Sequence, residues 1–216
     1  MENLESRQQP KCSTIAWTVC EYYHNKDLDT FVNIHTPSPS KRFQLLKGVI
    51  RGLNHVHKLL VVHGDLKASN VLVDNAGDVS KVCDFGSARI NCACYCSVEN
   101  QSGTVPWDSP ELFEDDGRTS MSDIWAFGCL ALEYSCGLPM QNHQAQFGEP
   151  PYDANHIIAS KKMMYNEPPA TMESFELGDP ISKAVWDMMQ KCWEFEPRNR
   201  PTAKEVLLAF DQLEVE

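Results

Sequence analysis

Along residues 43–60 the apolar positions Leu46, Val49, Ile50, Leu53, Val56 and Leu60 recur at the spacing of one helix face. That spacing predicts an amphipathic helix. Residues 122–137, SDIWAFGCLALEYSCG, are apolar almost all round, which predicts a helix buried on every side. Three further helices are predicted from their starts. Asp153 precedes ANHIIASKKMMY, and Asp179 precedes Pro180, a cap with proline in the first turn. Thr202 and Glu205 have the S/T-x-x-E spacing of a capping box ahead of VLLAF. Strand patterns are fewer. STIAWTVCEYY, residues 13–23, is rich in β-branched and aromatic residues and predicts a strand. VLVD (71–74), the turn NAG and VSKVCD (79–84) predict a β-hairpin. HNKD (24–27) reads as a turn, while HTPSPSK (35–41) and residues 138–152 read as loops. The fold expected is mainly α (α+β): a helical bundle with one small hairpin.

Composition changes this picture little. The chain has 216 residues, 42% apolar and 23% charged, enough for a sizeable core. No repeat or low-complexity tract divides it. The formal net charge of −11 argues against nucleic acid or an anionic membrane as partner. No apolar run approaches the ~20 residues of a membrane span, and MENLESRQQPKCS lacks an apolar signal core. The expectation is a soluble, intracellular, cytoplasmic protein. Of nine cysteines, Cys20, Cys83, Cys129, Cys136 and Cys192 sit singly in apolar runs and read as buried small hydrophobes. Cys92, Cys94 and Cys96 alternate in NCACYCS. They read as free thiols, with a soft metal as the alternative, because structural zinc favours paired C-x2-C motifs.

The chemistry concentrates in HGDLKASN, residues 63–70, a polar stretch between the apolar runs LLVV and VLV. Asp and Asn in a loop often do no more than cap turns. Four downstream motifs change the reading: KVCDFGSAR, GTVPWDSPEL, SDIWAFG and CWEFEPRNRPT occur in that order. From about Ile15 onward the chain resembles the large lobe of a eukaryotic protein kinase, with S-P-E at 109–111 where A-P-E is usual. This divides the chain into a polar segment, 1–14, and a kinase-like domain, 15–216.

The resemblance implies transfer of the γ-phosphate of ATP, with Mg²⁺, to protein hydroxyls, a reaction that needs alignment and charge neutralisation. Asp65 would orient the attacking hydroxyl, and Lys67 would place positive charge by the transferring group. Asn70 and Asp84 would hold Mg²⁺ through oxygen, the donor this hard cation prefers. Glu21 and Tyr23 would lie in the hinge beside the adenine, with Leu72 beneath its ring. His63, Phe85 and Gly86 would support the site from behind. Asp123 would accept hydrogen bonds from the catalytic-loop backbone, and Glu111 and Arg200 would form a buried ion pair. Lys67 and Thr104 resemble the Ser/Thr kinases, whereas Trp107 and CWEFEPRNRPT resemble the tyrosine-kinase branch. Together they point to the tyrosine-kinase-like group, whose members mostly act on serine or threonine.

Two features depart from the family pattern. Gly64 stands where most kinases carry an arginine that pairs with a phosphorylated activation-loop residue, so phosphorylation there is not the expected switch. No glycine precedes Gly48, and Lys11 is the only lysine ahead of the hinge. A glycine-rich loop and its ATP-anchoring lysine are therefore expected to be missing, together with most of the small lobe. That leaves apolar surface exposed and ATP weakly held. The competing reading is a non-catalytic kinase-like scaffold; a small-molecule phosphotransferase is disfavoured by the S-P-E segment, Trp107 and Arg200.

Overall fold

The structure is a computed structural model that describes residues 20–90, 104–114, 117–135, 167–170 and 180–213. Among these residues there are five α-helices and two small antiparallel sheets. The predicted helix after Asp153, Cys136, the cysteines of NCACYCS and segment 1–14 lie outside the described residues.

Helix α1, Leu28–His35, has no counterpart among the elements expected from the apolar pattern. Asp27 caps it, accepting from Thr30 N at 2.8 Å. Leu28, Phe31 and Val32 are its buried face. A helix of eight residues is marginal alone. This one is held by packing on strand β2, Val71–Val73, and on the turn Ala68–Asn70. Cys20 and residues 21–23, the described end of the expected strand, are not in strand conformation. Their neighbours in sequence enter a turn closed by the bond from Lys26 N to Tyr23 O, which ends any extended run.

Helix α2, Pro39–Lys58, starts earlier than the apolar pattern indicates. Ser38 caps Lys41 N and Pro39 occupies the first turn, so the proline-rich stretch 35–41 is partly helix rather than loop. Its apolar face, with Leu46, Val49, Ile50 and Leu53, is buried, and the helix packs on α5, Ala203–Asp211, where the Phe43 and Phe210 rings meet at 5.2 Å. Gly48 lets β3, Ser80–Val82, come close: a Cβ at position 48 would collide with the Ser80 hydroxyl. Strands β2 and β3 pair in the register Val71↔Val82, Leu72↔Lys81 and Val73↔Ser80. A second sheet, absent from the expectation, joins β1, Val61–Val62, to β4, Arg89–Ile90. Pairs of two-residue strands leave almost no periodic trace in sequence.

Helix α3, Ser120–Ser135, buries Ile124, Trp125, Phe127, Cys129 and Leu130, and packs on α4, Pro180–Cys192. Helix α5 opens with a capping box: Thr202 N donates to Glu205 Oε2 at 2.8 Å, and Glu205 N to Thr202 Oγ1 at 3.3 Å. Cys129 and Cys192 are buried, and burial pushes the Cys192 thiol up to about 12. Cys83 is half-buried and Cys20 is exposed, so the uniform burial expected of these cysteines does not hold. An apolar run in sequence is not a covered position in space. No helix among the described residues is long and apolar enough to cross a membrane.

Candidate active site

Between β1 and β2 the chain turns through residues 63–70, and its backbone is captured from below. His63 N donates to Asp123 Oδ2 at 2.8 Å and Gly64 N to Asp123 Oδ1 at 2.9 Å. Asp123 lies in the first turn of α3 and is buried. His57, in the last turn of α2, reaches the same carboxylate through Nε2 at 2.8 Å. His63 is itself fully buried. Its Nδ1 accepts from Asp65 N at 3.3 Å, so its Nε2 carries the hydrogen donated to Cys83 O at 2.8 Å.

With the loop fixed, four side chains meet above it. Lys67 Nζ lies 2.9 Å from Asp65 Oδ2 and 2.7 Å from Thr104 Oγ1. Thr104 Oγ1 donates to Asp65 Oδ1 at 2.8 Å. Asn70 Nδ2 donates to the Asp65 carbonyl at 2.8 Å and to its Oδ2 at 3.0 Å. Burial pushes the Asp65 carboxyl up, but the bonds from Lys67, Thr104 and Asn70 outweigh it and hold Asp65 below its ordinary value. An ionised carboxylate of low basicity orients a hydroxyl better than it removes that hydroxyl's proton early.

Asp84 stands apart from this cluster. It is exposed, has φ 58, and its carboxylate accepts from Gly86 N at 3.2 Å. Backbone bonds bring it beside the loop: Cys83 N donates to Asn70 O at 3.0 Å, and Cys83 O receives His63. Phe85 is 47% exposed, and its ring meets that of His63 at 5.1 Å. Asn70 turns its amide nitrogen to Asp65, which leaves its oxygen as the donor for a cation. A carboxylate and an amide oxygen suit Mg²⁺, which takes few protein ligands and completes its shell with water and phosphate oxygens. The residues present therefore fit the ion the family implies. Glu21 and Tyr23 lie farther out. Tyr23 OH donates to Glu21 Oε2 at 2.7 Å, and Lys81 Nζ donates to Tyr23 OH at 2.6 Å. Lys81 pairs with Leu72 across the hairpin, so the three residues share one neighbourhood.

Residues 104–114 close the other side. Glu111 and Arg200 form a buried two-bond pair, both contacts at 2.7 Å, and Arg200 also donates to three carbonyls. Trp107 Nε1 donates to Glu133 Oε2 at 3.0 Å, and Ala68 N reaches the same oxygen at 3.4 Å. Burial pushes the Glu133 carboxyl up to about 8, against the two bonds that lower it. Both arrive at Oε2, which leaves Oε1 to carry the proton. Sequence reading missed Glu133, His57 and the contacts of Thr104. Glu133 left a signal: a carboxylate inside a helix apolar all round must find partners.

A loop ordered by a buried aspartate, with an aspartate–lysine–asparagine cluster above it and a D-F-G turn beside it, is the arrangement the protein kinase resemblance leads one to expect. A family model for the protein kinase domain matches residues 8–209, and the chain belongs to that family. It is 30% identical over 188 residues to a probable serine/threonine-protein kinase of Dictyostelium discoideum, covering 87% of this chain and 27% of that protein. It is 28% identical over 195 residues to the serine/threonine-protein kinase fray1 of the same organism, with 88% and 32% covered. With mitogen-activated protein kinase kinase kinase 2 of Arabidopsis thaliana it shares 31% over 161 residues, 74% and 22% of the two chains. The chain thus spans less than a third of the length of these curated relatives.

Proposed function

We propose that this chain is the large lobe of an ATP-dependent protein kinase that phosphorylates serine or threonine, within the tyrosine-kinase-like group. The observation that carries the reading is the cluster in which Asp65 is ionised and held by Lys67, Asn70 and Thr104. Asp65 orients the substrate hydroxyl. Lys67 sets positive charge against the transferring group and ties Thr104 of the facing segment to the loop. Asn70 and Asp84 would hold Mg²⁺, which when bound neutralises charge on the phosphates. Leu72, with Glu21 and Tyr23, would border the adenine. Trp107 and residues 192–202 support the group assignment, and Lys67 with Thr104 supports serine or threonine as acceptor.

The test is transfer of labelled phosphate from Mg-ATP to a general protein substrate such as casein, with phosphoamino-acid analysis of the product. Transfer to serine or threonine is expected. Asp65→Asn is expected to lower it by roughly 10²–10⁴-fold, the range for a lost acid–base or orienting group. Asp84→Asn should abolish it. Absence of transfer, or transfer indifferent to both changes, overturns the reading in favour of a binding module, which draws on Gly64.

A further inference from the structure

Gly64 is required by geometry. Its φ is +82°, and a Cβ there would sit 2.6 Å from Ser87 O. The same Cβ would lie 3.4 Å from Arg118 Cδ, so the Arg118 stem runs directly past position 64. Arg118 precedes α3 and reaches back to Asp108, with Nη2 3.3 Å from Oδ1. The two side chains are only 13% and 15% exposed. Asp108 comes directly after Trp107 in the segment that carries Thr104. Beside the pair is a cavity of about 10 Å³, lined by Gly64, Asp65, Trp107, Asp108, Arg118 and Asp123 among others. That volume takes one water at most and no larger ligand. Burial pushes the Asp108 carboxyl up while Arg118 opposes it, as for an acid that depends on its cation.

We propose that Arg118 is a positioning residue: through Asp108 it fastens residues 104–114 against the loop at Gly64, so that Thr104 is presented to Asp65 and Lys67 by an ion pair the chain carries itself. No added phosphate is needed for that fastening. Three ties then hold the segment to the loop: Thr104 to Asp65 and Lys67, Trp107 to Ala68 through Glu133, and Asp108 to Arg118 alongside Gly64. Of these only the last depends on two opposite charges, each nearly buried, so removing either strands the other.

The catalytic consequence rests on the proposed kinase function; the fastening itself does not. The test uses the whole chain as wild type, Arg118→Met, Arg118→Lys, Asp108→Asn and the double variant Arg118→Met/Asp108→Asn. Hydrogen–deuterium exchange is read on peptides from residues 104–114 and, as control, from α2 and α5. Exchange in the segment is expected to rise about tenfold in Arg118→Met, the size of coupling typical of contacting residues. The controls should not move. Arg118→Lys should restore most of the protection, and the double variant should be no worse than the worse single one. Phosphatase treatment should leave wild-type exchange unchanged. In the phosphate-transfer assay kcat should fall with KM for ATP held. Unchanged exchange in both single variants, additive single effects, or loosening by phosphatase overturns the proposal. Should Arg118→Met not fold, Asp108→Asn and Arg118→Lys carry the same comparison. A wild type that transfers no phosphate sinks the kinase reading alone, because exchange still judges the ion pair.

Discussion

Residues 63–70 and residues 84–87 are adjacent in space and held in opposite ways. The first stretch is buried from behind: His63 is inaccessible, two of its backbone amides end on Asp123, and Asn70 is pinned to Asp65. The second is exposed, with Asp84 in a left-handed conformation capping its own turn and Phe85 nearly half open. Both carry residues expected to act in one reaction. The difference shows where preorganisation comes from. Asp65, proposed to orient the hydroxyl, sits on a loop fixed by the helical core, whose packing exists without nucleotide. Asp84, proposed to face the metal, is fixed mainly by the backbone bonds of Cys83, and its exposed carboxylate accepts from Gly86 N of its own turn.

Mutation can break this contrast at its strongest point. Asp123→Ala strands two buried amides of the loop, each costing about 1–3 kcal/mol, so chemical denaturation should show a loss of about 2–6 kcal/mol. A loss under about 1 kcal/mol would mean the loop is not held from α3. Next in size is a pH effect. Glu133 has its carboxyl raised from 4.5 to about 8, so the folded state binds a proton that the unfolded chain releases. The stability from this group is full below about 4.5 and is lost as pH rises through about 8. Thermal melts from about pH 6 to about pH 9 should fall by several degrees, and Glu133→Gln should flatten the decline. A slope unaltered by that change would refute the assignment.

Thr104→Val removes the hydroxyl shared by Asp65 and Lys67 and should cost about 1–2 kcal/mol. With one bond fewer, the Asp65 carboxyl should move up toward its ordinary value, readable by NMR titration. The smallest effect belongs to the open side. Asp84→Asn keeps a residue at ease in the left-handed region and should change stability by no more than ~0.5 kcal/mol while phosphate transfer is lost. Equal destabilisation by Asp84→Asn and Asp123→Ala would erase the comparison.

Helix α2 was legible because its apolar face repeats from Phe43 to Val56, about four turns, and α5 because its capping box is local to four residues. Helix α1 was not, since a cap and four apolar residues in an eight-residue stretch do not outweigh the turn and loop signals that flank it. Sheet β1–β4 was not legible at all: its pairing depends on two residues from each strand meeting across the loop. At the site, residue types were readable from the order of motifs, but contacts were not. His57, Glu133 and Arg118 each touch a partner that no spacing rule connects to them.

By itself the sequence determined what is local: the capped start of α5, the amphipathic face of α2, the all-round burial of α3, and the ordered motifs of the protein kinase family. Tertiary structure decided which charges meet. Asp123 collects amides about sixty positions away, and Glu133 keeps a proton because burial outweighs the bonds that would remove it. In sequence Gly64 was an arginine missing from its usual place. In the fold it is a residue with φ +82° pressed against Ser87 O and passed by Arg118. Such outcomes depend on distances and desolvation between remote segments, and local propensity contains neither.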